Sequence, residues 1–339
     1  MLPDEPTLKA AQRGDDAAFA RLVAPYRREL RAHCYRMSGS IHDADDLLQD
    51  SLLRAWKGLP GFEQRADLRT WLYRVTTHAC LDALEKRSAR LLPAELGPAA
   101  GPNDAMGPPR LEPIWLEPCP ASLYESAEPS PEARIGQRES VTLAFLVALQ
   151  LLPARQRAVL ILRDVLGWQA SECGELLEIS VAAVNSALQR ARETLASRAP
   201  ALRAEPRALD DAETRALLSR YVHAWERADV DALVALLHED ATLAMPPLAE
   251  WLAGAAAIRA SIAAMVFAPA GPGAFRLLRT EANGRPAFAA YQRDRASGEL
   301  RAASLHVLDV RDGRIAAITA FLDPSLLAAF ELPGRLDDR

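Results

Sequence analysis

Cysteine is scarce and scattered in this 339-residue chain: Cys34, Cys80, Cys119 and Cys173 stand far apart and form no C-x-x-C pair. That spacing signals neither a disulfide framework nor a zinc site, and six dispersed histidines add no metal-ligand pattern. No cofactor is implied. A run of 18 uncharged apolar residues is also missing, so no membrane span is expected. The N-terminus "MLPDEPTLKAAQRGDD" is acidic and polar where a secretory signal needs basic and then apolar residues, which predicts a cytoplasmic protein. Lysine is rare, three against a large arginine count, a bias of genome composition that carries no function.

What is present is an uneven charge distribution under a net charge of −5. Residues 1–90 and 139–203 have a slight basic surplus, whereas 91–138 and 204–339 are acidic. Proline is uneven as well, with ten of 24 between 91 and 138. That density excludes helix and sheet and predicts a linker, with one island, "PIWLEPCP", apolar enough to dock as an extended segment.

On either side of the linker the apolar spacing is three and four. The stretches "AAFARLVAPYRRELRAHCYRM", "DADDLLQDSLLRAWKGL" and "DLRTWLYRVTTHACLDALEKRSAR" predict helices, with "PGFEQRAD" as the loop before the third. Four more helices follow between 139 and 203, punctuated by Pro153 and Gly167. In the last, Ser180 can cap the N-terminus, and Val184, Leu188, Ala191 and Leu195 define a buried side. The other side then carries Ala182, Ala183, Asn185, Ser186, Gln189, Arg190 and Arg192. Together with the short helix ending in "ELLEIS" this makes a helix-turn-helix, whose second helix can enter a major groove. Small residues there permit close approach, Asn185, Ser186 and Gln189 can bond base edges, and Arg190, Arg192 and Arg198 suit phosphates. An ordinary helical hairpin with a solvated face satisfies the same spacing. Glu178 occupies the turn position where glycine is usual.

From about residue 212 the period changes. Helices are predicted at "AETRALLSRYVHAWERAD", at "VDALVALLHED" and near 255–267. Four β runs follow, "FRLLRTEAN", "PAFAAYQRD", "LRAASLHVLDV" and "RIAAITAFLD", the last two joined by an Asp312-Gly313 turn. The order predicts α+β with a meandering antiparallel sheet.

The first 200 residues resemble a sigma factor of the sigma-70 family, extracytoplasmic-function group. "LPARQRAVLILRDVLGWQASECGELLEISVAAVNSALQRARETL" is similar to region 4, which reads the −35 promoter element. "DADDLLQDSLLRAWKGL" followed by "FEQRADLRTWLYRVTTHACLDALEKR" is similar to region 2. The resemblance implies that Asp43, Asp46, Gln49, Asp50 and Arg54 dock on the clamp helices of the RNA polymerase β′ subunit, with the β flap as a further contact. It implies that Phe62, Trp71 and Tyr73, interleaved with Arg65, Arg69, Arg74, Lys86 and Arg87, capture the opened −10 strand, aromatic faces holding bases and cations holding phosphates. His78 stands where the family usually has Asn, which leaves fine −10 specificity open. "PIWLEPCP" resembles a patch of members with a fused C-terminal domain, where it would run toward the RNA exit path or contact that domain.

Residues 205–339 resemble the SnoaL-like family, a cone-shaped α+β fold shared with the nuclear transport factor group. The resemblance implies an apolar pocket lined by Trp225, Met245, Trp251, Tyr291, His306 and Phe321, able to take a small-molecule ligand. Asp240 suits a turn better than a buried acid, so no carboxylate pairs with His306. The expected fold is multidomain: two all-α sigma domains, the second a helix-turn-helix, and an α+β cone. The expected segments are region 2 over 1–90, the linker over 91–138, region 4 over 139–203 and a regulatory domain over 204–339. The expected function is a sigma factor, not an enzyme, whose C-terminal domain modulates it by touching region 2 or the linker. A SnoaL-type small-molecule enzyme and a one-component ligand-sensing activator stand as alternatives.

Overall fold

In the computed structural model, residues 5–64, 66–85, 88–101, 104, 106–110, 112, 115–124, 140–197 and 212–337 are described. They fall into two compact units, Met1–Arg90 with Ser122–Ala199, and Leu91–Ala121 with Pro200–Arg339.

The first unit is helical: α1 (Glu5–Gln12), α2 (Asp16–Val23), α3 (Arg27–Ser38), α4 (Ile41–Gly58) and α5 (Leu68–Leu84), then α6 (Leu143–Gln150), α7 (Ala154–Leu160), α8 (Ala170–Leu177) and α9 (Val181–Ser197). Five of the N-termini are capped by a side chain. Asp15, Ser40, Asp67, Thr142 and Ser180 each accept a bond from the amide three residues on, satisfying a donor the helix itself leaves orphaned. The stretch predicted as one helix over 17–37 is two. Pro25 has no N–H to give, and Ala24–Tyr26 tightens into a 3-10 turn between them. Gly39, at φ 72°, ends α3 in the left-handed region.

The halves of this unit are joined by buried polar contacts. Arg157 of α7 is 4% exposed and donates to the carbonyls of Met37, Gln150 and Leu152 and to the Gln150 amide oxygen. Burial lowers its pKa to about 10, so it stays charged at neutral pH and is stabilised by this set of acceptors. Arg36 of α3 donates to the Ser140 hydroxyl at 2.9 Å.

The second unit holds α10 (Ala212–Glu226), α11 (Val230–Val234), β1 (Leu237–Ala244), β2 (Trp251–Ala253), α12 (Ala255–Ser261), β3 (Phe275–Ala282), β4 (Arg285–Arg293), β5 (Leu300–Arg311), β6 (Arg314–Phe321) and β7 (Arg335–Leu336). The sheet order is β2-β1-β6-β5-β4-β3, with β7 on β5. Three expectations are corrected here. Helix does not run through "LLHED": it stops at Val234, and 237–244 become a strand, because Leu237, Ala241 and Leu243 are buried at the even spacing of a sheet face. The sheet is not wholly antiparallel either, since β1 runs parallel to β6, while β3 to β6 form the predicted meander. Asp240 lies in β1 rather than in a turn, with its carboxylate on Arg311 at 2.8 Å.

Part of the proline-rich stretch belongs to this unit. The Ala100 amide donates to Trp251 O at 2.8 Å, the Trp251 indole donates to Gly97 O at 2.9 Å, and the Arg110 amide donates to Pro247 O at 2.9 Å. Pro120 bridges Ala282. The described residues of 91–121 therefore form a strap on the sheet rather than a free spacer, and the expected island supplies buried Trp115, Leu116 and Cys119. Its Pro113 and Ile114 lie outside the described residues. The anchor is Asn283, fully buried at φ 54° in the Asn-Gly turn between β3 and β4. Its Oδ1 accepts from the Cys119 amide at 3.0 Å, and its own amide donates to Cys119 O at 3.0 Å. Its Nδ2 donates to the Cys119 sulfur at 3.5 Å.

Candidate nucleic-acid and polymerase interfaces

Helices α8 and α9 meet at the predicted turn. Glu178 takes φ 57°, the left-handed conformation that a glycine would adopt without strain. Gly174 is required for a different reason: a Cβ there would stand 2.8 Å from Ile179 O. The result is an α9 whose Val184, Leu188 and Ala191 are buried while Val181, Ala182, Ala183, Asn185, Ser186, Gln189, Arg190 and Arg192 are exposed. All seven residues expected to face DNA are exposed. Several are already held: Gln189 donates to Glu193 at 3.0 Å, Arg190 to the Ser186 hydroxyl at 2.8 Å, and Arg192 forks onto Asp164 at 2.7 and 2.9 Å. Arg198 lies outside the described residues.

The residues expected to capture the opened strand divide by depth. Phe62, buried at 8% exposure, and half-buried Trp71 pack with ring centroids 5.0 Å apart at the base of the 60–67 loop. Gln12 pins that loop by donating to Leu59 O and Phe62 O. Tyr73 lies deeper still and is fully buried. Its hydroxyl donates to Glu29 at 3.3 Å, its ring meets the edges of His33 and Trp168 at 5.3 Å each, and Arg69 stacks over it at 5.0 Å. Burial, with the Glu29 charge beside it, holds the phenol well above its ordinary pKa. Arg69 forks onto Glu29 at 2.8 to 3.0 Å, and exposed Arg74 pairs with Glu178. Trp168 and Glu178 both come from the α7–α9 region, so that region covers one side of α5. Arg65, Lys86 and Arg87 lie outside the described residues.

On α4, Asp46 and Gln49 are exposed, Asp50 pairs with Arg54 at 2.9 Å, and Arg54 reaches Asp82 at 2.5 Å. Asp43 differs from these, being tied to Arg90 at 2.6 Å with only 14% of its side chain exposed. Sequence reading missed Leu53, which is 53% exposed and lies seven residues, two turns, from Asp46 on the same face. The Leu52-Leu53 doublet alone could not reveal it, since the adjacent Leu47 and Leu48 of the same helix are both buried.

In the C-terminal unit one face of the sheet is covered by aromatic side chains. The Trp225 ring lies 4.6 Å from His306, 5.2 Å from Phe267 and 5.4 Å from Phe275. His306 is 2% exposed and both its nitrogens are engaged, Nδ1 with the Tyr221 hydroxyl at 2.9 Å and Nε2 with Ser304 at 3.0 Å. Burial lowers its pKa to about 4, so the ring is neutral. Of the six expected lining residues, Trp225, Met245 and His306 share this side. Tyr291 and Phe321 do not: Tyr291 donates to Pro333 O, and Phe321 pairs with Leu305 across from the His306–Ala320 pair. Trp251 is spent on the strap.

Comparison with known proteins agrees with this layout. Family models match at residues 22–90 (Sigma-70 region 2), 142–195 (Sigma-70, region 4) and 218–318 (SnoaL-like domain). The chain is 47% identical over 327 residues to the ECF RNA polymerase sigma factor SigG of Mycobacterium tuberculosis, covering 96% of this chain and 86% of that one. It is 27% identical over 191 residues to SigW of Bacillus subtilis, covering 56% and 92%. The crystal structure of the extracytoplasmic function sigma factor SigJ of Mycobacterium tuberculosis has the same fold, with a TM-score of 0.58, 22% identity and coverage of 89% and 96%.

Proposed function

We propose, from the premise that this chain belongs to the extracytoplasmic-function sigma factors of RNA polymerase, a division of labour among its parts. The protein binds core RNA polymerase and directs promoter-specific initiation. The exposed face of α4 docks on the β′ clamp helices, with Leu53 as its apolar centre and Asp46, Gln49, Asp50 and Arg54 around it. Asp43 supports that helix from beneath through Arg90. Trp71, with buried Phe62 packed against it and the loop between α4 and α5, receives the opened −10 strand. Arg69 and Tyr73 set the position of α5 rather than stacking a base. Helix α9 enters the −35 major groove.

The observation that carries this reading is α9 itself, whose apolar face is buried and whose polar face is open along its length, in one chain with an exposed clamp-type face on α4. The C-terminal unit acts by holding the strap, not by chemistry. His306 has a hydroxyl on each nitrogen and no carboxylate among them, so it has neither a free base nor an acid partner to offer a substrate. Because the strap lies in the chain between region 2 and region 4, its docking sets how much chain those regions have to separate. Its partner places the protein in the cytoplasm.

Run-off transcription with purified core polymerase and the full chain tests the reading, with Leu53→Asp as the variant. Losing one leucine contact and placing a charge in an apolar interface costs about 2–3 kcal/mol, so core affinity should fall roughly 30- to 150-fold. Far-ultraviolet circular dichroism should be unchanged, since Leu53 packs on little within the chain. No transcript and no core binding from the unmodified chain would overturn the reading.

A further inference from the structure

The α9 face sorts into side chains that are already engaged and one that is not. Arg190, Arg192 and Gln189 are held by Ser186, Asp164 and Glu193. Ser180 is turned back onto the Ala183 amide as the cap. What the first turn presents is therefore apolar: Val181, 46% exposed, with Ala182 and Ala183 exposed beside it. Asn185 follows one turn later, exposed, with a carboxamide that bonds nothing in the described chain. No arginine or lysine precedes Arg190 on this helix.

Each of these facts selects against some bases and for others. In the major groove guanine is read best by the fork of arginine, placing acceptors O6 and N7 opposite two donors. The leading turns of α9 have no such fork. A carboxamide offers one donor and one acceptor side by side, which matches adenine N7 and N6–H₂. A cluster of methyl groups offers no hydrogen bond at all, and the one groove-edge feature it complements is the thymine C5-methyl. We infer that this factor reads its −35 element as an adenine bonded by Asn185, with a thymine methyl packed on Val181 and Ala182. Four helical residues rise about 6 Å and a base step about 3.4 Å, so the two bases lie one or two steps apart. The arginines further along then set affinity through phosphates and carry little base information.

The inference rests on α9 being the −35 helix and adds the identity of the bases. Holoenzyme assembled from core polymerase and the full chain is used to select −35 sequences from a randomised promoter pool, and the preferred promoter is then rebuilt with single-atom changes. Replacing the selected adenine with 7-deazaadenine removes N7 and should weaken binding roughly 5- to 10-fold, with no further loss in Asn185→Ala. Replacing the neighbouring thymine with uracil removes the methyl and should weaken binding a few-fold, with no further loss in Val181→Ala. A pool that returns guanine and cytosine at these positions, or a wild-type protein indifferent to both replacements, overturns the inference. If at the same time Arg190→Ala still weakens promoter binding, the −35 reading of α9 stands without it. If selection shows no −35 preference and Arg190→Ala changes nothing, that reading falls as well.

Discussion

Asn283 and Cys119 are 164 positions apart in the chain and joined by three bonds, which makes the strap's attachment measurable at one atom. Replacing Asn283 with glycine keeps the turn, because glycine adopts φ 54° without strain, and keeps the backbone bond to Cys119 O. It deletes the carboxamide, leaving the buried Cys119 amide without its Asn283 acceptor. An unsatisfied buried donor costs about 1–3 kcal/mol, so the fraction of time the strap is released should rise about 5- to 150-fold. Cys119 reports this directly, since it is fully buried when docked and labels with a maleimide only when the strap lifts. Mass spectrometry separates its adduct from those of Cys34, Cys80 and Cys173. Asn283→Ala provides the control. It should raise Cys119 labelling as much as glycine does, because left-handed strain at 283 is present whether or not the strap is docked. It should differ in unfolding of the C-terminal unit, which loses about 1 kcal/mol more than with glycine. Wild-type labelling rates in Asn283→Gly would refute the argument.

Two further outcomes are expected. At Glu178, both Glu178→Gly and Glu178→Ala lose the exposed pair with Arg74, yet only glycine relieves the φ of 57°, so the glycine variant should be the more stable by about 1 kcal/mol in denaturant titration; equal midpoints would remove strain from the account. The buried histidines set the acid response. Burial lowers His306 to about 4 and His33 to about 3 from an ordinary 6.5, so each folded ring resists protonation. Their stabilisation is complete above pH 6.5 and is lost as pH falls from there toward 4 and 3, at about 1.4 kcal/mol per pH unit for each. His306→Gln should flatten that slope for the C-terminal unit between pH 6.5 and 4.5, as read from urea midpoints, and an unchanged slope would show that another group governs it.

The boundary between what the sequence tells and what it hides follows the range of the interactions. Helix α9, its cap at Ser180 and the odd turn residue Glu178 are legible because they are settled within four residues. The Asp312-Gly313 turn is legible for the same reason, both residues taking positive φ. Tyr73 is misread because an aromatic residue among arginines looks the same as a base platform or as a core residue. Only Glu29, 44 residues away, and Trp168 decide between the two. "LLHED" is misread because local preference favours continuing a helix, while the winning term is the pairing of Leu237 with Ile315 and Leu243 with Ile318 across the sheet. The strap belongs to the same class, and so does Arg157, whose bond to Met37 O spans 120 residues. Other long-range contacts border the two sigma regions. The face of α5 is covered by Trp168 and Glu178, and the chain joining region 2 to region 4 is fastened by Asn283.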